Sequence, residues 1–410
     1  MKLSRRTVIS GLATTMFSGC VGEQSLPTVS QSSIRPVPNP AFDAWVASFR
    51  LQAAARGLSQ QTLDRAFRSV GYLPAVIEKD RSQTEFTRSL EDYIAIAASD
   101  ERISKGRAAL ARQARTLAAI EARYGVAPEV VTAIWGLESK YGERRGDIPV
   151  ISALSTLAFE GRRGAFFEGQ LIAALKILER GDITLARMTG SWAGAMGHTQ
   201  FIPTSYQAYA VDFTGDGRRD IWSDDPADAL ASTAAYLQRS GWRSGQPWGM
   251  EVRLNAGFDA GLTGRGNARR STAWAGMGVT DTAGRPLPDH GSAAILIPQG
   301  RRGPAFAVFR NFNVILRYNN AEKYGIGVGH LADRLAGKPP LQAGFPPDER
   351  GMTIDDRKEL QRRLTARGFD TQGADGVIGP DTTAAIRGYQ ARAGLPVDGE
   401  PSLALLARLQ

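Results

Sequence analysis

Glu138 lies in residues 130–142, VVTAIWGLESKYG, where Val130, Ile134, Leu137 and Tyr141 recur at helical spacing. Its carboxyl follows Ile134 by one helical turn and so borders the apolar stripe. Partial loss of water there favours the protonated form, which suits a general acid. A solvated or salt-bridged Glu has the same spacing. Residues 190–206, GSWAGAMGHTQFIPTSY, mix small side chains with the polar groups of Ser191, Gln200 and Tyr206. Small residues let a ligand come close, and the polar groups suit sugar hydroxyls and amides. A tight structural loop is the plainer reading. Residues 212–228, DFTGDGRRDIWSDDPAD, place Asp212, Thr214, Asp216 and Asp220 like positions 1, 3, 5 and 9 of an EF-hand loop, with Gly217 at the turn. Such oxygen donors favour calcium. Ser223 stands where a closing Glu is usual, so Asp224, Asp225 or Asp228 must complete the shell. Residues 311–324, NFNVILRYNNAEKY, combine rings and amides as a sugar-binding wall would. The alternative is a strand and turn with tyrosine in the core.

These segments need a scaffold. From Phe42 to about Gly125 the pattern is helical, with Phe42, Trp45, Phe49 and Ala53 on one face. A capped helix is expected over 59–67 and a longer one over 104–124, ended by Gly125 before Pro128 opens the next. Helical signals continue to about Leu178 and return over 227–239. Between Met250 and Leu316 short apolar runs at 251–254, 293–298 and 305–309 alternate with Gly, Asn and Asp, as strands of a small sheet would. A helix over 322–335 closes this unit. Residues 337–352 contain Pro339-Pro340 and Pro346-Pro347 and read as a linker to a small helical module at 353–410.

Residues 1–20 read as a signal peptide, with a basic start, a short apolar run and a lipobox-like end at Cys20. The run is too short to span a bilayer. Cys20 is expected to carry the lipid anchor of a periplasmic, outer-membrane lipoprotein, exported by a Sec or twin-arginine signal. Residues 21–40 read as a flexible tether. Cys20 is the single cysteine, so an internal disulfide and a two-thiolate zinc site are both excluded. The three histidines form no HExxH pattern, which argues against a zinc hydrolase. The 410 residues carry a net charge of +9, a mild excess that favours polyanions without selecting nucleic acid. No nucleic-acid motif is present, and a monomer is expected.

Taken in order, Glu138 in E-S-K-Y-G, then the 190–206 segment, D-F-T-G-D-G and R-Y-N-N resemble the soluble and membrane-bound lytic murein transglycosylase B family over residues 40–336. Asp80-Arg81, Gln83 and Glu85-Phe86 add to the pattern. The resemblance implies an α+β, mainly helical fold: a lysozyme-like core, an added helical region and a small β-sheet, filling a catalytic domain at 41–336. It implies that Glu138 is the acid and then the base that cuts the MurNAc-GlcNAc β-1,4 bond of peptidoglycan, leaving 1,6-anhydromuramic acid ends. No cofactor is needed for that chemistry. Tyr93, Ser191, Gln200, Tyr318, Asn319 and Tyr324 fall where the family lines its glycan groove. A structural Ca2+ would take Asp212, Thr214, Asp216, the Arg218 carbonyl and Asp228. Two departures stand out: the loop has about two extra residues before Asp228, and Phe166-Phe167 replace a groove tyrosine. Separately, Leu360-Gln361, Gly368-Phe369, Asp375-Gly376, Tyr389-Gln390 and Asp398-Gly399 resemble a peptidoglycan-binding domain of three helices. A hydrolytic muramidase and a noncatalytic peptidoglycan-binding scaffold are the alternatives.

Overall fold

The helix Pro128–Ser139 is the axis of the molecule. Pro128 occupies its first turn, and Val131, Thr132, Ala133, Ile134 and Trp135 are all buried. It is therefore covered on every side, and not half-wet as a single stripe implies. The helices Asp100–Arg112, Ala227–Arg239 and Glu322–Leu335 pack around it. The computed structural model describes residues 34–81, 89–348 and 350–409. Residues 1–20, Cys20, most of the expected tether, and Gln83, Glu85 and Phe86 lie outside the described residues. Residues 36–410 form one compact unit.

The first helix, Pro40–Ala55, starts within the expected tether, capped by the Asn39 side chain on Phe42 N. Just upstream, Val37 pairs with Tyr72 in a single antiparallel bridge. Phe42, Phe49 and Ala53 are buried as their spacing implies. Ser59 caps Gln60–Phe67. The helix expected over 104–124 is two, Asp100–Arg112 and Ala114–Tyr124, separated at Gln113. The break lets the first half face Pro128–Ser139 while the second packs on Ala227–Arg239. Val150–Glu160 and Gly164–Arg180 form a helical hairpin whose turn uses Gly161 at φ 83°.

A five-stranded antiparallel sheet follows, in the spatial order Arg269–Arg270, Ser292–Leu296, Ala305–Val308, Gly249–Arg253, Thr280–Asp281. Its three longer strands match the expected runs. Its core holds Trp274, Ile295, Ala307 and Phe309. Residues Arg310–Tyr318 are helix, although the sheet was expected to run to Leu316. Phe312, Ile315 and Leu316 are spaced for one buried helical face, a period masked by the apolar strand just before it.

The C-terminal module consists of Ile354–Ala366, Pro380–Arg392 and Leu403–Arg408. Leu360, Leu364, Ile386 and Leu405 form its core, with Phe369, Tyr389 and Leu395 half-buried at the edge. The proline-rich stretch before it forms no helix or strand among the described residues, but it is held down: Glu251 accepts hydrogen bonds from Gln342 N and Ala343 N.

Candidate active site

Lys140 and Tyr141 both adopt left-handed backbone conformations, φ 50° and 60°, immediately after the central helix. That turn folds the Tyr141 ring back between two helices. A Cβ at Gly136 would come within 2.6 Å of the ring, and one at Gly106 within 2.5 Å of its hydroxyl oxygen. The Tyr141 hydroxyl donates to Arg102 O, and the half-buried Arg102 guanidinium donates to Gly136 O at 3.0 Å. A cation on the carbonyls of the last turn also suits the negative end of the helix dipole. The end of the helix is thus fixed, and Glu138 with it.

Glu138 is half-buried and accepts a 2.7 Å hydrogen bond at Oε1 from the hydroxyl of Tyr324, which is itself buried. Tyr318, at the end of Arg310–Tyr318, donates to Thr199 O at 2.6 Å. Burial, and next the charge of Glu138, hold both hydroxyls well above the ordinary tyrosine pKa, so both remain donors. Tyr93, on Leu90–Ala97, lies against Gly327, where a Cβ would come within 2.6 Å of the ring. Glu138 and Tyr93 open onto a cavity of about 1190 Å³. Arg102 and Lys105 line the same side, and Lys358, Gln361 and Asp375 of the C-terminal module line the other.

The remaining expected groove residues stand apart from this cavity. Ser191 Oγ accepts from Ala193 N and Ala195 N, bracing its own turn. Gln200, at φ 53°, donates to Arg145 O and Gly197 O. Asn319 is exposed and accepts from Ala321 N. Tyr206 is a core residue, fully buried and donating to Arg219 O. Phe167 is buried, whereas Phe166 is exposed beneath the Arg163 guanidinium. Glu143, Asp147, Glu160 and Glu168, the nearby acids in sequence, do not line the cavity; Glu143 pairs with Lys105 and Glu160 with Arg81.

The 190–206 loop is tied to the central helix by groups that periodicity does not mark. His198 Nδ1 accepts from Trp135 Nε1 at 3.1 Å, and its Nε2 donates to Ser223 O at 2.7 Å. Both ring nitrogens are thereby used by a neutral imidazole, and burial lowers the His198 pKa. Ser139, next to Glu138, donates to His198 O at 2.6 Å. Arg145 reaches Trp222 O and Ser223 O. Buried polar residues inside quoted motifs are the only sequence signal for this network.

In the acidic loop, Asp212, Asp216 and Asp228 bring one carboxylate oxygen each within 4.8 Å of one another. Of the three candidates to close the loop, Asp228 is the one that joins. Asp224 pairs with Arg145, and Asp225 Oδ1 accepts from Ala227 N. Asp220 turns away to accept from Trp222 N and Ser223 N. Asp228 is buried, which raises its pKa, although it accepts from Phe213 N, Thr214 N and Asp220 N. For Asp212 burial acts upward, but the N–H groups of Gly217, Gly215 and Asp216 prevail and hold its carboxyl low. Thr214 Oγ1 lies 3.5 Å from Asp212 Oδ1. Clustered carboxylates with a neighbouring hydroxyl form the donor set that a hard cation takes.

A half-buried carboxylic acid at the end of a covered helix, with a small sheet and appended helices, is the arrangement of a lysozyme-like fold. The chain belongs to the transglycosylase SLT domain family, which it matches over residues 41–333, and residues 353–409 match the peptidoglycan binding domain. It is 36% identical over 217 residues to membrane-bound lytic murein transglycosylase B of Escherichia coli strain K12, covering 52% of this chain and 58% of that protein. The chain thus spans little more than half of that relative's length. SltB3 from Pseudomonas aeruginosa, solved with NAG-NAM-pentapeptide, is 51% identical, with a TM-score of 0.74 over 91% of this chain and all of that one. Lytic transglycosylase Slt35 of Escherichia coli, solved in complex with calcium, is 27% identical, with a TM-score of 0.62 over 75% of this chain and 97% of that one.

Proposed function

We propose that this protein is a peptidoglycan lytic transglycosylase in which Glu138 is acid and then base. The observation that carries the reading is the half-buried Glu138, held by the buried Tyr324 hydroxyl at the mouth of a large cavity. Glu138 protonates the glycosidic oxygen as its bond to C1 of the muramic acid breaks. The C6 hydroxyl of the same sugar then attacks C1 and gives its proton to Glu138. The new 1,6-anhydro ring replaces the broken bond, and no water is consumed. Attack from within the same sugar gains from proximity. Tyr93, which lines the cavity, flanks the reacting sugars; Tyr318, Ser191, Gln200 and Asn319 are groove residues on the family resemblance alone.

Family membership, and the muropeptide complexes of the 51% identical relative, support the glycan strand as substrate. The 353–409 module supports binding to the same polymer. Residues 1–20 export the protein to the periplasm, and a lipid on Cys20 anchors it to the outer membrane. Among the described residues no helix is long and apolar enough to cross a membrane. The acidic loop holds Ca2+ through Asp212, Asp216 and Asp228, joined by Thr214 and the Arg218 carbonyl. When bound, the ion neutralises the carboxylates and stabilises the loop, and every catalytic proton stays with Glu138. The calcium complex of the 27% identical relative supports this assignment.

Glu138→Gln keeps the shape of the side chain but can neither give nor take the proton. General acid–base groups contribute about 10²–10⁴-fold each, so activity on purified peptidoglycan should fall by at least that range. Mass spectrometry of the wild-type digest should show muropeptides lighter by one water than lysozyme products. Reducing ends in their place would make the enzyme a muramidase. Full activity in Glu138→Gln would remove the catalytic assignment of Glu138 altogether.

A further inference from the structure

Arg357, on the first helix of the C-terminal module, is 2% exposed, and its guanidinium is divided between two parts of the chain. Toward the module and the end of the linker, Nε donates to Gly376 O at 2.7 Å and NH1 to Met352 O at 3.2 Å and Asp348 Oδ2 at 3.0 Å. Toward the catalytic domain, NH2 donates to Glu91 Oε2 at 2.7 Å and Asp92 Oδ1 at 3.0 Å. Glu91 is buried too. One cation therefore serves three carboxylates and two carbonyls, a set that a planar guanidinium can satisfy and a lysine ammonium cannot.

Both ends of this contact lead to the cavity. On one side the next residue, Tyr93, lines it beside Glu138 and packs on Gly327 of the helix that carries Tyr324. On the other side Lys358 and Gln361, on the same helix as Arg357, line the opposite wall. We infer that Arg357 is a positioning residue for the reaction: it locks the module against the Tyr93 helix so that the cavity keeps both walls around the strand. The inference rests on the glycan-cleaving reading above. Glu251, pinning the linker backbone, limits how far the module can swing if the lock opens.

The test uses the full chain with Glu91→Met and Asp92→Ala together, which leaves the bonds of Arg357 to Gly376, Met352 and Asp348 in place. Loss of a second, linked wall reduces effective concentration, so KM for soluble peptide-bearing glycan strands should rise about tenfold. The kcat should stay within about twofold, because Glu138 and Tyr324 are untouched. Arg357→Lys should fall between wild type and this variant. Trypsin cleavage after Arg350, which precedes Gly351, should quicken in the variants, reporting release of the module. An unchanged KM overturns the inference whether or not the linker becomes cleavable, and so does a kcat that falls as much as KM rises. Strand affinity measured in the Glu138→Gln background, with and without the two substitutions, gives the same comparison without turnover. A wild type that makes no anhydro product then refutes the reaction, while equal affinities in that background refute the role of Arg357.

Discussion

The hydroxyl 2.7 Å from Glu138 Oε1 bears directly on how that carboxyl gains and loses its proton. A donor supports the ionised form, which must exist when the base takes the C6 proton. Tyr324 is buried and can offer its hydrogen to no solvent molecule in exchange, so the bond survives only while Glu138 accepts it. Hydrogen bonds to charged groups contribute about 1.5–3 kcal/mol. Tyr324→Phe should therefore lower kcat by about tenfold to a hundredfold without unfolding the protein. The limb of the pH–rate profile set by Glu138 should move to higher pH, since the ionised form loses its donor. A profile that keeps its shape and position would show that Tyr324 only packs.

The helix Glu322–Leu335 brings Tyr324 to the site and carries a second titratable group inward. His330 is 6% exposed, and burial, with Arg334 adding to it, pushes its pKa down to about 4. In the unfolded chain a histidine titrates near 6.5. Between those values the unfolded state binds the proton and the folded state does not. The stability of this helix in its place is thus complete above about pH 6.5 and is lost as pH falls toward 4. At pH 4.5 the loss from this one group is about 2–3 kcal/mol. His330→Gln removes the titration, so urea unfolding at pH 7 and pH 4.5 should differ less than in wild type by about that amount. The lowered His198 leaves a residual slope of the same sign. An identical pH dependence in the variant would place the acid sensitivity elsewhere.

For the whole molecule, cation binding and module docking act on the same folded state. Asp228 belongs to the helix Ala227–Arg239, which packs on the central helix, so the acidic loop reports on the core and not on a detached hairpin. An ion bound only by the folded chain raises its stability by about 2.7 kcal/mol at a hundredfold excess over Kd. Chelator should lower the melting temperature of purified protein, and added calcium should restore it, while magnesium, which demands a stricter octahedral shell, should restore less. A melting temperature indifferent to chelator and calcium alike would empty the site of its meaning. Of the net charge of +9, Lys2, Arg5 and Arg6 lie in the expected signal peptide, and the remaining basic excess favours acidic polymers, screened by salt.

Much of this was legible in order along the chain. Glu138 borders an apolar stripe, a spacing that a solvated Glu shares, and it is the order of the four motifs in the family resemblance that singles it out. The positions of Ala227–Arg239 and Glu322–Leu335 follow from helical period, which is a local property. The aspartates of the metal loop were visible as alternating donors, but three acids competed to close it, because a loop's path is not written in spacing. Only folding brought Asp228 back to Asp212, engaged Asp224 with Arg145, and buried Tyr206 that had looked free to meet a sugar. Only folding, likewise, set Tyr324 on Glu138 across 186 residues of chain and Arg357 on Glu91 across 266. Local sequence determines which elements form and what chemistry they carry, since capping and periodicity act over a few residues. Which groups meet depends on burying distant apolar faces together, and that is decided by the tertiary structure alone.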